Sequence, residues 1–266
     1  MTATASRPTT LAQPGGLASI GAFVQFELRR ALRNKRYLMF SVGFPVVFYL
    51  LYTGVLQKSS GVTVNNTGWA VYFMVSMAAY GVLGASLAGS RIIASERTGG
   101  WTRQLRVMPL APSVYLLAKL VVSLVTTVPA MLLVMAAAAI ANGVSLPVIT
   151  WLELVGVLVV GSLPFAALGI LLGYLFDGDS VQGAFMISYF GLAILGGLWT
   201  PIAVFPSILV TIAHVLPSYH FANLGWGILA GTGIDPVDIA VLAVYGVVIA
   251  GLVAWRYRSD EQRARG

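Results

Sequence analysis

The sequence predicts an all-α membrane protein of six transmembrane helices. An N-terminal amphipathic interfacial helix precedes them, a cytoplasmic helix follows helix two, and a re-entrant or short-helix outer segment separates helices five and six. Three observations carry this expectation. The 266-residue chain is 58% hydrophobic and only 9% charged, against roughly 25% charged in an average soluble domain, and its mean hydropathy is +0.86. Its apolar residues fall in runs near the roughly 20 residues that one helix needs to cross a bilayer. Of its 16 basic residues, 15 lie on one side of the resulting topology, as cytoplasmic loops require.

Taken in order, residues 1–17 are polar and rich in Pro and Gly and lack the apolar centre of a cleaved signal, so they read as a disordered cytoplasmic tail. Residues 18–36 place Ile20, Phe23, Val24, Leu28, Ala31 and Leu32 on one helical face. Gln25, Arg29, Arg33 and Arg36 lie on the other. Such a helix lies in the interface, its arginines meeting anionic headgroups. The six-helix domain occupies 37–256, with spans at Leu38–Leu56, Trp69–Ile93, Val114–Ala141, Trp151–Phe176, Val181–Trp199 and Val237–Trp255. The third is too long for one straight crossing, so its first turns, including Lys119, are expected at the membrane surface. Residues 200–233 are apolar but divided by Pro201, Pro206 and Pro217 into pieces too short to span. Counting this stretch as a seventh span would export Arg256, Arg258, Arg263 and Arg265. Six spans leave only Lys58 outside, with both termini cytoplasmic and 257–266 as a second cytoplasmic tail.

The ionisable residues narrow the function. Ion and proton relays need acids or histidines at mid-membrane depth, yet none of the nine acids falls at the middle of a span; Glu153, the nearest, lies in the first turn of the fourth. His214 and His220 sit in the broken outer segment with no acidic cluster nearby in sequence, which gives no metal-site spacing. With no cysteine there is neither a disulfide nor a thiolate site. A P-loop needs Gly immediately before its Lys, whereas Lys35, Lys58 and Lys119 follow Asn34, Gln57 and Ala118. Uphill transport would therefore draw its work from another polypeptide acting on a cytoplasmic loop. The net charge of +7 flanks apolar runs, which points to the bilayer surface and not to nucleic acid.

One inside loop is large enough for that contact, residues 95–113. Gly99 and Gly100 relax the backbone there, and Trp101–Val107 can form a short helix ended by Pro109. Trp101 and Leu105 share one face of it, Arg103 and Arg106 another. The run "SERTGGWTRQLRVMPLAPSVYLLAK", with E-R-x-x-G followed by Leu105, Pro109 and Lys119, resembles the signature of type-2 ABC exporter permeases, close to bacterial drug and antibiotic exporters of the daunorubicin-resistance type. The basic helix before span one, the six spans and the segment "LPSYHFANLGWGIL" agree with it, although that family often has an acid where Asn223 stands.

The resemblance implies the transmembrane subunit of an exporter of hydrophobic drugs, antibiotics or lipids in a bacterial plasma membrane. It also implies two separate nucleotide-binding subunits that hold ATP and Mg, and a second copy of this chain completing the path. Glu96, Arg97, Gly100, Leu105 and Pro109 become coupling residues, with Gly99 as backbone support, Trp101 and Leu105 as apolar anchors, and Glu96 and Arg97 either touching the partner or bracing the turn. Asp177 and Asp179 in "FDGDS" offer either a second contact or a plain polar turn. The small-residue rows Gly81, Ala85, Gly89 and Gly169 to Gly173 suit either a dimer contact or packing within the chain. Phe44, Phe48, Tyr52, Tyr72, Tyr80, Phe185 and Tyr189 are candidates to line a path for amphiphilic cargo. Two other readings stand beside this one: a polysaccharide or teichoic-acid export permease, and a non-transporting scaffold or membrane enzyme using His214, His220, Asp235 and Asp238.

Overall fold

The computed structural model describes residues 44–56, 63–64, 67–99 and 112–263, together with Gln25, Arg29, Arg33, Met39 and Gly43. Among the described residues the regular structure is helical apart from one two-residue antiparallel pairing, β1 (Thr63–Val64) with β2 (Thr67–Gly68). The helices are α1 (Phe44–Leu56), α2 (Trp69–Leu87), α3 (Gly89–Thr98), α4 (Pro112–Asn142), α5 (Val148–Gly161), α6 (Leu163–Leu175) and α7 (Ser180–Leu195). A 3₁₀ turn, Ile202–Val204, leads to α8 (Ser207–Val215), α9 (Pro217–Ala230) and α10 (Pro236–Arg263). Among the described residues, four stretches are long and apolar enough to cross a membrane: Trp69–Thr98, Leu116–Asn142, Val148–Leu175 and Pro236–Tyr257, with Phe44–Gly54 and Ser180–Leu195 as shorter apolar helices.

Two of the long stretches carry a break. The first changes from α2 to α3 at Ala88, among the small residues Ala85, Ser86, Gly89 and Ser90. The second changes from α5 to α6 at Ser162, because Pro164 has no N–H to continue the ladder. The Ser162 hydroxyl instead donates to the Val159 carbonyl at 2.7 Å, the kind of local repair a backbone needs where water is scarce. α4 runs unbroken for 31 residues through Pro129.

α2 is the centre of the bundle. It packs along α4, α1 and α6, and 89% of the apolar window of Trp69–Thr98 is buried, against 17% for Pro236–Tyr257. A helix apolar on every side and buried on every side is an interior helix, whereas α10 leaves most of its surface exposed. Close approach within the bundle depends on glycine. A Cβ on Gly169 would stand 2.7 Å from the Ser86 carbonyl oxygen, and one on Gly173 would stand 2.7 Å from that of Ser90. The row Gly169 to Gly173 therefore seats α6 against the α2–α3 break within the chain. Ala85 is buried in the same bundle, while the Cβ position of Gly89 faces open space.

The proline-broken stretch forms short helices, as its spacing predicts. α9 ends at Gly231 in a left-handed conformation (φ 74°), with Thr232 N–H closing on the Gly227 carbonyl at 3.0 Å. At the N-terminal side, Gln25, Arg29 and Arg33 stand four residues apart and are all exposed, with Arg33 N–H bonded to the Arg29 carbonyl at 3.1 Å. The tail 1–17 and the rest of the interfacial helix lie outside the described residues.

Candidate functional site

α3 carries Arg91, Glu96 and Arg97 toward one end of the bundle, and each is engaged with a neighbouring element. Lys119, in the second turn of α4, donates to Glu96 Oε1 at 2.8 Å. Both side chains are 6% exposed, so the Lys119 charge is met by a carboxylate inside the protein. α2 and α4 pack side by side, and burying an ammonium between helices calls for an opposite charge. Arg97 Nη1 donates to the carbonyls of Gly173 at 3.0 Å and Tyr174 at 2.7 Å, and to Asp177 Oδ1 at 3.2 Å. It thus caps the last carbonyls of α6, which have no helical partner, where a cation also suits the helix dipole. Its guanidinium lies 5.4 Å from the Tyr174 ring centroid. Arg91 makes a parallel contact, donating to Gln182 Oε1 at 2.9 Å and lying over the Phe185 ring.

Glu96 and Arg97 are therefore adjacent in sequence and fastened to different helices, one to α4 and the other to α6. Gly99 caps α3 with its N–H on the Ser95 carbonyl at 2.9 Å, and its φ of −75° is open to any residue, so its backbone freedom is not used. In the "FDGDS" turn it is Gly178 that needs glycine, at φ 56°. Ser180 closes that turn, its hydroxyl donating to the Asp177 carbonyl at 2.6 Å. Asp177 joins Arg97, so the two loops at this end are linked, while Asp179 is exposed. Gly100, Trp101, Leu105 and Pro109, together with Arg103 and Arg106, lie outside the described residues.

The aromatic candidates divide into two groups. Tyr72, Tyr80, Phe185 and Tyr189 are buried in the chain's own core. Tyr80 and Tyr189 stack at 4.4 Å, with the Tyr189 ring filling the space beside Gly84. Phe44, Phe48 and Tyr52 are half-buried and form a column along α1, with ring separations of 5.3 and 4.6 Å, and Trp199 stands 5.1 Å from Phe48. Elsewhere α4, α5, α6 and α10 leave an apolar groove of about 880 Å³ between them, lined by Leu120, Val160 and Gly246 among others.

At the opposite end of the bundle the structure joins residues that sequence spacing kept apart. His220 on α9 meets Asp238 at the start of α10, with Nδ1 and Oδ1 2.7 Å apart, and its Nε2 lies 2.8 Å from the His214 carbonyl. Asn223 donates to the other oxygen of Asp238 at 2.9 Å. The acid lies 18 positions beyond His220, on the far side of the Gly231–Gly233 turn, so the two read as separate features in the sequence. Asp235 is exposed and accepts the Val237 N–H at the helix start. Burial, with Asp238 and Asp235 nearby, raises the pKa of the Tyr219 hydroxyl.

Residues 58–255 match the profile described as "ABC-2 family transporter protein". The chain is also 30% identical over 237 residues to the Bacillus subtilis (strain 168) protein named "Putative transport permease YvfS", covering 88% of this chain and 95% of that one.

Proposed function

Starting from the fact that this chain belongs to the ABC-2 family of transporter proteins, we propose that it is an exporter subunit for a hydrophobic or amphiphilic compound, worked by ATP hydrolysis in separate subunits. The coarse assignment is a multi-pass membrane permease subunit of an ABC transporter, a transport component and not an enzyme. The finer reading has six spans with both termini in the cytoplasm of a bacterium. Two ATPase subunits hold ATP and Mg, and a second copy of this chain meets the first across the path. Phe44, Phe48 and Tyr52 are the aromatic residues best placed to meet cargo, because they are half-buried where the other candidates are enclosed.

The observation that carries the coupling assignment is the double fastening of Glu96 and Arg97. A force on the loop that follows Thr98 reaches α4 through Lys119 and α6 through the Gly173 and Tyr174 carbonyls. Packed helices shift as discrete bodies, so a loop gripped on both sides moves several spans together. In this reading the partner's direct contacts fall on the loop residues Gly100, Trp101, Leu105 and Pro109, with Gly99 as their support. Glu96 and Arg97 transmit the motion, and Asp177 extends the linked surface to the second loop.

The test is reconstitution of the chain with a P-loop ATPase that co-purifies with it. Arg97→Ala is expected to leave membrane insertion and assembly intact and to remove the stimulation of ATP hydrolysis by hydrophobic dyes. Unchanged stimulated hydrolysis and dye transport in that variant would overturn the coupling role.

A further inference from the structure

The end of the bundle away from Arg97 holds a buried polar cluster that the coupling reading does not use. His220 and Asp238 have side chains 8% and 3% exposed. Both ring nitrogens of His220 face acceptors, a carboxylate oxygen at 2.7 Å and a backbone carbonyl oxygen at 2.8 Å. A carbonyl oxygen cannot donate, so Nε2 carries a hydrogen. Asp238 Oδ2 already accepts from Asn223 at 2.9 Å, and a carboxylate with two donors leaves the Nδ1 hydrogen on the ring. A neutral imidazole supplies only one N–H. The full set of bonds therefore needs a second proton between Nδ1 and Oδ1, and the greater intrinsic basicity of imidazole than of carboxylate puts it on the ring, with Asp238 balancing the charge.

The cluster also occupies a mechanical position. The segment from Phe205 to Ala230 breaks at Pro206 and Pro217, and α8 exposes Ile208, Ile212 and Val215. Among the described residues, side-chain ties that seat the segment on the bundle include Ser218 Oγ on the Leu192 carbonyl at 2.7 Å, Trp226 Nε1 on Ser76 Oγ at 3.2 Å, and the His220–Asp238–Asn223 cluster. The last of these bonds both short helices to α10 at once, because His220 takes α9 to Asp238 while its other nitrogen takes the end of α8. The Tyr245 hydroxyl adds a more exposed tie from α10 to the Val215 carbonyl at 3.0 Å.

We propose that His220 is held as an imidazolium between Asp238 and the His214 carbonyl, and that this proton-loaded pair positions the short-helix segment α8–α9 on the last span. It is independent of the coupling role at the other end of the molecule. His220 and Asp238 act here as positioning residues, setting where α8 and α9 sit relative to the path.

The chain has two histidines, so His214→Gln, which keeps the backbone carbonyl, leaves His220 as the one imidazole signal. Nitrogen NMR of the full chain in lipid bilayers at neutral pH is expected to show both ring nitrogens protonated; a bare ring nitrogen overturns the proposal. Asp238→Asn removes the balancing charge and is expected to convert His220 to a neutral ring. It should also raise amide hydrogen exchange across residues 207–230 at least about tenfold, the order expected from losing a bond to a charged group, with exchange in 69–87 unchanged. Equal protection of 207–230 in that variant overturns the positioning role. Should Asp238→Asn fail to fold, His220→Gln in the same exchange measurement takes its place. The nitrogen spectrum of the His214→Gln chain needs no variant at Asp238.

Discussion

Lys119 and Glu96 face each other at 2.8 Å with both side chains almost wholly removed from solvent, joining α4 to the end of α3. Glu96→Gln removes the buried carboxylate to which Lys119 donates and is expected to destabilise the protein by about 3–5 kcal/mol. Glu96→Gln combined with Lys119→Met removes both charges and should recover most of that loss. Thermal unfolding of the purified chain in lipid nanodiscs checks the order of the three proteins.

Arg97 and Asp177 make an unequal pair. The arginine side chain is 17% exposed and the aspartate 57%, so the ion pair itself is screened and worth under about 1 kcal/mol. Asp177→Asn should therefore leave stability nearly unchanged. Arg97→Ala strips the donor from two carbonyls of buried residues and is expected to cost about 1–3 kcal/mol. The same unfolding measurement separates the two, and equal effects would show that the carbonyl contacts contribute little.

Glycines on the α6 face offer a steric contrast. Gly169→Ala and Gly173→Ala each drive a methyl group into a backbone carbonyl 2.7 Å away. Each should cost about 1–3 kcal/mol as the helices part. Gly156→Ala meets nothing within 4 Å and should be neutral or stabilising by up to about 1 kcal/mol, because alanine favours a helix. A melting series of the three variants checks this.

Gly178 is the fourth case. Its φ of 56° makes Gly178→Ala strained by roughly 1–2 kcal/mol. That strain bears on the turn presenting Asp177 to Arg97, so faster hydrogen exchange is expected at residues 176–180, with little change in α5.

The long helices were legible because a hydropathy run of bilayer length is a strong signal, and the proline spacing after Thr200 foretold the short helices. The breaks at Ala88 and Ser162 were less visible, since a chain apolar throughout shows little of a kink. Which aromatics are enclosed could not be read either. In a membrane protein the lipid-facing and core-facing sides are both apolar, so Tyr80 in the core and Phe48 at its edge look alike in sequence. The local signature around Glu96 and Arg97 singled those residues out, but their contacts lie in other helices. Lys119 is 23 positions from Glu96, and the Tyr174 carbonyl is 77 from Arg97. A carbonyl acceptor leaves no trace in residue type, and the lysine read as a topology charge. The His220–Asp238 contact was hidden for a similar reason, because a glycine turn reverses the chain between them.

The Glu96–Lys119 bond also turns the residues between its ends into a closed ring. A linear loop pulled at one point slackens at another, whereas a ring pinned at its base delivers any pull to the same two anchors. Once the ends are pinned, lengthening the loop adds only slowly to the entropic cost of closure. In the coupling role proposed above, the loop's sequence can change to suit a different ATPase subunit while the two anchor points stay where they are.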